Sequence, residues 1–301
     1  MIVERVAILA STLAVICVLT SALTTDEIAA FGARNFTDQN TGLQGYITIS
    51  ESDDDNYVVE ANGIPDHEAG PYPNSEDPSE IIEQTYVYYI LKTPTPAPED
   101  EKEELPMGTI ALTLNGVPLF NPYTAIGTDA VENEIFDDCD GHPTPEHGAY
   151  HYHSRPKCVF TLEEGVPPGI VGVALDGYPI YGNNDENGNE LMTADLDACH
   201  GRTVDGSYRY HITADFPYIL GCFHGVVDER NLMSGGGPGD RPPRPGDDPG
   251  DNPGDNPGTD DGGGDDGTEA PRLGGRAPAN VANAVFCLFV TILTAAIIHF
   301  R

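Results

Sequence analysis

LNGVPLF at residues 114–120 returns as LDGYPIY at residues 175–181, and two further blocks of sequence return with it. DDCDG at 137–141 is repeated as DACHG at 197–201, and GAYHYH at 148–153 is repeated as GSYRYH at 206–211. The offsets are 61, 60 and 58 residues, and a nearly constant spacing is typical of a duplicated supersecondary unit. We therefore expect two copies, at about residues 110–158 and 171–222, that pack against each other. We expect the functional site at the seam between them.

Strand-forming sequence dominates the region from residue 46 to residue 232. Stretches rich in Tyr, Val and Ile occur at 46–49, 86–91, 110–114, 170–175 and 208–213. Clusters of Gly, Pro, Asn and Asp separate them, as is typical of turns. Because no stretch shows a long apolar period of 3.6 residues, helix should be minor. The sequence predicts a mainly β (all-β) single globular domain at 46–232, and this domain contains the internal duplication.

Four cysteines are expected to remain in the mature chain. Cys17 and Cys287 lie in apolar terminal segments that we expect to be removed. The other four, which allow three pairings, are Cys139, Cys158, Cys199 and Cys222. Each copy has one cysteine before its Tyr-x-Tyr-His block and one after it, so the duplication favours Cys139–Cys158 and Cys199–Cys222. A cysteine zinc site is disfavoured, because no Cys-x-x-Cys spacing is present.

Both ends of the chain carry targeting signals. Residues 1–22 are typical of a signal peptide, with a basic start, an apolar run and small residues for cleavage. A polar leader follows at 23–45, with an N-glycosylation sequon at Asn35. Residues 276–301 resemble the hydrophobic signal for a glycosyl-phosphatidylinositol (GPI) anchor, with attachment at Gly275. The alternative is a single transmembrane helix. Either reading predicts an exported protein held at the outer cell surface.

The chain is strongly acidic, with a formal net charge of −35 and an isoelectric point near 4.2. Such a surface repels a phosphate backbone, so a nucleic-acid partner is excluded. Cations, mineral faces and basic extracellular proteins are the predicted partners, beside the membrane that holds the anchor. Residues 233–275 have almost no apolar side chains, which predicts a disordered acidic stalk of Pro, Gly and Asp. We expect this stalk to bind Ca²⁺ weakly, in the millimolar range.

Several motifs resemble one known family. YHYH at 150–153 stands with HP at 142–143, DGYPIYG at 176–182, YH at 210–211 and NGIPDH at 62–67. Together these resemble the YHYH domain family, over roughly residues 46–230. The resemblance implies no particular activity, because the family has no agreed biochemical function. In charge and layout, the chain is also similar to the acidic, Asp-rich matrix proteins of coral skeletons.

Histidines are the candidate site residues. On a strand, alternate side chains share a face, so His151 and His153 should point one way and the intervening tyrosines the other. If the copies pack about a twofold axis, His211 could join them, and His67 or His142 could add a fourth imidazole. Neutral imidazoles suit Zn²⁺ or Cu²⁺. The alternatives are structural histidines that bond backbone carbonyls, or acid–base catalysis by His153 with Asp176.

A calcium loop is a further candidate. Asn183, Asp185 and Asn187 place oxygen-bearing side chains at alternate positions before a glycine, as an EF-hand loop begins. The closing position falls on Ala194, so a hairpin turn is the alternative. Known catalytic motifs are absent from the sequence, which favours a non-enzyme. The leading hypothesis is a membrane-tethered surface or matrix protein that binds Ca²⁺, with a role in biomineralisation. The alternatives are a Zn or Cu module or metalloenzyme, and an adhesive domain.

Overall fold

The structure is a computed structural model, and it describes residues 23–52, 55–99, 102, 105–160 and 164–233. Eleven strands and a few short helices make up the regular structure of these residues. The expectation of a mainly β domain with little helix is therefore confirmed. The predicted signal peptide at 1–22, nearly all of the stalk, and the GPI-type signal with Gly275 lie outside the described residues.

A three-stranded antiparallel sheet, the small sheet, forms first along the chain. Its strands are β1 (Ile47–Glu51), β2 (Asn56–Ala61) and β3 (Tyr86–Leu91), in that spatial order. Hydrophobic side chains of this sheet, such as Val59 and Ile90, belong to the same core as Leu112 and Ile180 of the larger sheet. Burying one face of each sheet against a shared core is the usual way in which two sheets stabilise one domain.

An eight-stranded sheet, the large sheet, contains both copies of the duplicated sequence. Its strands are β4 (Thr109–Thr113), β5 (Pro118–Phe120), β6 (Gly141–Pro143), β7 (Tyr150–Tyr152), β8 (Ile170–Ala174), β9 (Pro179–Tyr181), β10 (Gly201–Val204) and β11 (Ser207–His211). Their spatial order is β10-β11-β9-β8-β4-β5-β7-β6. The short helices are α1 (Thr25–Ala29), α2 (Ala130–Asn133) and α3 (Glu229–Met233), with a 3-10 turn at Thr193–Asp195.

The two copies join side by side through β4 and β8, which pair in antiparallel fashion. Leu112 pairs directly with its own counterpart Val173, so a pseudo-twofold axis passes between these two residues. Two hydrogen bonds flank the axis symmetrically, from Leu114 N to Val171 O and from Leu175 N to Ile110 O, each 3.0 Å long. The seam is thus a strand pair in the middle of one continuous sheet.

The repeated Asx-Gly-x-Pro motif makes the turn after the first strand of each copy. Gly116 and Gly177 have φ angles of 83° and 92°, in the region that favours glycine. Each glycine donates its N–H to the carbonyl oxygen of the last residue of the preceding strand. Gly116 bonds Thr113 at 3.0 Å, and Gly177 bonds Ala174 at 2.9 Å. The motif recurs because β4–β5 and β8–β9 need the same turn.

Both disulfides form within their own copies. Cys139 bonds Cys158 and Cys199 bonds Cys222, with Cα–Cα distances of 5.2 and 4.4 Å. This is the pairing that the duplication predicts. Each bond closes a loop that includes a β6–β7 or β10–β11 hairpin, and by the loop-entropy argument each contributes roughly 3 kcal/mol to the free energy of unfolding.

Residues 23–45, the predicted leader, pack against the domain. Leu23 is only 2 % exposed, and Arg34 forms a two-bond ion pair with the carboxylate of Asp66. The hydroxyl of Tyr181 donates a hydrogen bond to Glu27. In the described part of the chain, none of the helices combines the length and apolar character that a membrane span requires.

Candidate metal centre

Three histidine side chains meet at the outer edge of the first copy. His142 on β6 is the cross-strand partner of His151 on β7, and His153 follows the end of β7. The Nε2 of His151 lies 3.1 Å from that of His142 and 3.0 Å from that of His153. All three rings are buried. We call this group the three-histidine cluster, and it unites three of the five histidines that the sequence singled out.

Backbone carbonyls fix the tautomers of two of these rings. The Nδ1 of His151 lies 2.9 Å from the carbonyl oxygen of Ala149, and the Nδ1 of His153 lies 2.6 Å from that of Asn121. A carbonyl oxygen can only accept, so each Nδ1 carries the proton and donates it. In the neutral rings each Nε2 then presents an unprotonated lone pair. The two lone pairs face each other across 3.0 Å, a repulsive arrangement that a cation between them would relieve.

Glu134, which follows α2, adds a carboxylate to the cluster. Its Oε2 lies 3.4 Å from His142 Nε2 and 3.3 Å from His153 Nε2. This oxygen is buried and has no hydrogen-bond partner among the described residues. Four ligands placed tetrahedrally about 2.05 Å from a zinc ion are about 3.3 Å apart. We call the three Nε2 atoms and Oε2 the four-ligand site; the four contacts among them given above are 3.0–3.4 Å long, close to this spacing.

Burial keeps the three imidazoles in the form that binds metal. It lowers the pKa of His142 and of His153 to about 4, and it holds the pKa of His151 well below its usual range. The neighbouring imidazoles lower the pKa of His142 and of His151 further. Near neutral pH all three rings are therefore neutral, as metal coordination demands.

The pKa of the Glu134 carboxyl group is shifted upward, in the opposite direction to the pKa values of the histidines. Burial raises its pKa, and the nearby Asp77 raises it further. A buried carboxylate oxygen without a hydrogen-bond partner among the described residues is costly, and a cation at the four-ligand site would provide the missing charge. Apolar rings enclose the site: Phe120 stacks on His151 at 3.9 Å between ring centroids, and Phe136 lies 4.8 Å from His142. Such a shell keeps water from competing for the ligands.

Comparison with known families matches residues 87–190 and 185–225 to the family described as YHYH protein. The chain carries a YHYH domain. The matched residues include both copies of the repeat and the whole four-ligand site. No curated protein and no solved structure matches the chain. The likeness to coral skeletal matrix proteins therefore stays a prediction.

The tetrapeptide that names the YHYH domain serves both faces of β7. Tyr150 and Tyr152 are fully buried in the core, where Tyr150 donates its hydroxyl proton to Asp137 at 2.7 Å. His151 and His153 point to the opposite face and enter the cluster. The tyrosines are therefore structural, and the two histidine side chains converge with that of His142; metal binding by the histidines stays a prediction.

His67 lies apart from the three-histidine cluster. Its Nε2 lies 2.6 Å from the hydroxyl of Tyr152, and its Nδ1 lies 3.0 Å from the carbonyl oxygen of Glu68. It also lies near the sulfur atoms of Cys139 and Cys158, but these sulfurs are bonded to each other and offer no thiolate. The expectation that His67 joins the other imidazoles is wrong, because it packs on the tyrosine face of β7.

His211 does not meet His153, and the expected site at the seam is wrong. In the order of the large sheet, β9, β8, β4 and β5 lie between β11 and β7. Five strand spacings of about 4.8 Å separate the two strands by about 24 Å. The reason is topological: the first strand of each copy forms the seam, and the Tyr-x-Tyr-His hairpins extend outward from it.

Asp176, the carboxylate considered as a catalytic partner of His153, belongs to the second copy. It is fully buried and accepts hydrogen bonds from the hydroxyl of Tyr210 at 2.6 Å and from the N–H of Gly225 at 2.9 Å. His153 instead contacts His151, Glu134 and a backbone carbonyl. The acid–base pair does not form.

The buried carboxyl of Asp176 makes stability depend on pH. Burial raises its pKa from 3.8 to about 6, so the folded state binds this proton more tightly than the unfolded state. The resulting stabilisation is complete below about pH 4 and is lost as the pH rises through 6. From pH 5 to pH 7 we expect the wild type to lose about 1 kcal/mol of unfolding free energy relative to Asp176→Asn. Urea unfolding of both proteins at the two pH values measures this difference, and equal pH slopes would contradict it.

The candidate calcium loop forms a hairpin turn. Asp185 Oδ1 accepts hydrogen bonds from the N–H groups of Asn187 and Asn189, both at 2.8 Å. Asn183 donates its amide proton to Glu190 at 3.2 Å. The side chain and the backbone N–H of Asn189 donate hydrogen bonds that lower the pKa of Asp185 to about 2, so this carboxylate is stabilised by the turn itself. Calcium binding at Asn183, Asp185 and Asn187 stays a prediction, as does glycosylation at the exposed Asn35.

Glu134 is the site residue that the sequence motifs missed. It lies in no repeated block, and it comes from the segment between β5 and β6. A comparison of the two copies could nevertheless have pointed to Glu134. At the offset of 60 residues set by Asp137 and Asp197, the counterpart of Glu134 is Ala194. The copies therefore differ in charge at this position, as they also do at the positions of His142 and His151.

Proposed function

We propose that this YHYH domain binds one divalent transition-metal ion, Zn²⁺ or Cu²⁺, at the four-ligand site. One observation carries the proposal: the Nε2 atoms of His151 and His153 face each other at 3.0 Å while both Nδ1 atoms donate to carbonyls. The Oε2 of Glu134, which has no hydrogen-bond partner in the described part of the chain, supports it independently. A metal ion satisfies all of these atoms together.

The site is of the closed kind. Four protein ligands fill a tetrahedral zinc ion completely, whereas catalytic zinc sites keep one position for water or substrate. The Oε2 atom of Glu134 is buried, and residues His151 and His153 are at most 4 % exposed. The proposed function is therefore metal binding that stabilises the domain, rather than hydrolysis or redox catalysis.

The setting that we propose for this domain is the outer cell surface. Two disulfides suit an oxidising compartment, and the terminal segments are typical of export and anchoring. The net charge of −35 and the acidic segment at 234–275 favour weak Ca²⁺ binding and contact with mineral or basic extracellular proteins. An adhesive role rests on the same features.

Metal analysis of the purified full chain tests the proposal. After dialysis against Zn²⁺ and then against metal-free buffer, we expect about one tightly held zinc ion per chain. His153→Ala removes one ligand and should weaken binding by about 100-fold or more, since even outer partners of a metal site are worth 10–100-fold. A parallel titration with Cu²⁺ shows which ion binds more tightly.

His147→Ala is the matched control, because His147 is 42 % exposed and lies outside the four-ligand site. This variant should retain the wild-type metal content. Metal content far below one ion per chain in the wild type would refute the proposal. So would equal metal content in the wild type and the His153→Ala variant.

A further inference from the structure

The second copy repeats the geometry of the metal centre with different side chains. Cys139-Asp140-Gly141-His142 aligns with Cys199-His200-Gly201-Arg202, so Arg202 occupies the position of His142. Tyr-His-Tyr-His aligns with Tyr-Arg-Tyr-His, so Arg209 occupies the position of His151 and His211 that of His153. The strand registers agree, since Arg202 pairs with Arg209 across β10 and β11 as His142 pairs with His151.

The one retained histidine keeps the orientation of a metal ligand. His211 Nδ1 lies 2.8 Å from the carbonyl oxygen of Gly182, the residue after β9, whereas His153 uses Asn121, the residue after β5. The proton of His211 is therefore on Nδ1, and its Nε2 presents a lone pair to the inside of the hairpin. The backbone of the second copy therefore still holds His211 in the orientation that His153 has in the first copy.

Guanidinium groups fill the place that a metal ion would take. The Nε of Arg209 lies 3.1 Å from His211 Nε2 and donates to it, and the Nε of Arg202 lies 3.4 Å from the same atom. Both arginines also donate through Nη2 to the carboxylate of Glu186. In the second copy an imidazole nitrogen and a carboxylate thus surround a positive charge that the chain itself supplies, at the place that corresponds to the proposed ion of the first copy.

The surroundings of the two sites also correspond. Tyr181, the counterpart of Phe120, lies under the guanidinium of Arg209 at 4.3 Å, as Phe120 lies against the ring of His151. The arginine side chains are 26 % and 14 % exposed, so both are largely enclosed. Glu186 supplies the carboxylate of the second copy. It lies in the turn after β9 and does not align with Glu134.

From this correspondence we propose that the second copy is a latent metal site in which two guanidinium groups replace the ion. The two copies then hold one transition-metal ion between them and not two. Replacing Arg202 and Arg209 by histidine would convert the second copy into a site that binds Zn²⁺ through three imidazoles and Glu186. The inference rests on the proposed function of the first copy, but it makes a separate prediction.

Zinc content of four full-length proteins tests the inference. We expect about one ion per chain in the wild type and about two in Arg202→His/Arg209→His. With His153→Ala added to each, the expected contents fall to about zero and about one. Zinc bound by the triple variant supports the latent site, and its absence overturns the inference while leaving the first site intact. A wild type without zinc would instead overturn the proposed function.

Folding of the arginine variants is measured in the same samples. If the double variant is unfolded in chelator and folds when Zn²⁺ is added, the latent site is supported, because the ion then supplies the charge that the arginines gave. If it remains unfolded with and without Zn²⁺, the inference is overturned. The single variant Arg202→His, which retains Arg209, has at most two imidazoles on the hairpin. Its second-site zinc content should be near zero.

Discussion

Removing the bound metal with a strong chelator will lower the thermal unfolding midpoint of the chain by roughly 10 °C. At an ion concentration about 1,000 times the dissociation constant, binding to the folded state alone contributes about 4 kcal/mol. For a domain of about 200 residues, each kcal/mol shifts the midpoint by about 2–4 °C. Without the ion, the facing Nε2 atoms of His151 and His153 and the buried oxygen of Glu134 are left uncompensated.

Calorimetry with and without chelator measures this shift in the unfolding midpoint. Two controls test whether the shift comes from the four-ligand site. Adding Zn²⁺ back should restore the midpoint, whereas Ca²⁺ should not, because imidazole nitrogens are poor ligands for calcium. In the His153→Ala variant the chelator should lower the midpoint by no more than about 3–6 °C, since binding weakened about 100-fold contributes only about 1.4 kcal/mol at the same ion concentration. A shift of the same size in that variant would assign the effect to another part of the chain.

The repeat allowed much of the fold to be predicted. Its period located the two copies, its cysteines gave the disulfide pairing, and its Gly-Pro motifs gave the turns of β4–β5 and β8–β9. The spatial order of strands was not predictable in this way. A repeated sequence shows that two units are alike, but it does not show which strand of each unit forms the contact between them.

The candidate site was predicted in part for the same reason. Alternation along β7 correctly placed His151 and His153 on one face, because the side-chain period of a strand is fixed by local geometry. Bringing in His142 required the register of the β6–β7 hairpin, and Glu134 required the path of the chain after α2. These depend on tertiary packing, which a spacing of residues does not encode. The expectation for His211 failed because the hairpins lie at opposite ends of the sheet.

The seam between β4 and β8 is sensitive to a single added atom. A Cβ on Gly172 would lie 2.1 Å from the carbonyl oxygen of Leu112 on the neighbouring strand. The contact is to backbone, so no side-chain rotation can relieve it, and the strands must separate. Separation there would break the hydrogen bonds that flank the pseudo-twofold axis, and both copies depend on them.

Gly172→Ala should therefore reduce the free energy of unfolding by roughly 3–5 kcal/mol, at the upper end of the range for single substitutions. Gly169→Ala is the matched control three residues earlier, where an added Cβ meets nothing within 4 Å. It should change stability by less than about 0.5 kcal/mol, because an exposed, unstrained Gly→Ala change acts mainly on the unfolded chain. Urea unfolding of both variants decides the matter. Because the metal ligands lie at the outer edge of the sheet, Gly172→Ala protein that remains folded should keep its zinc. Similar unfolding free energies in the two variants would show that the seam is not what holds the copies together.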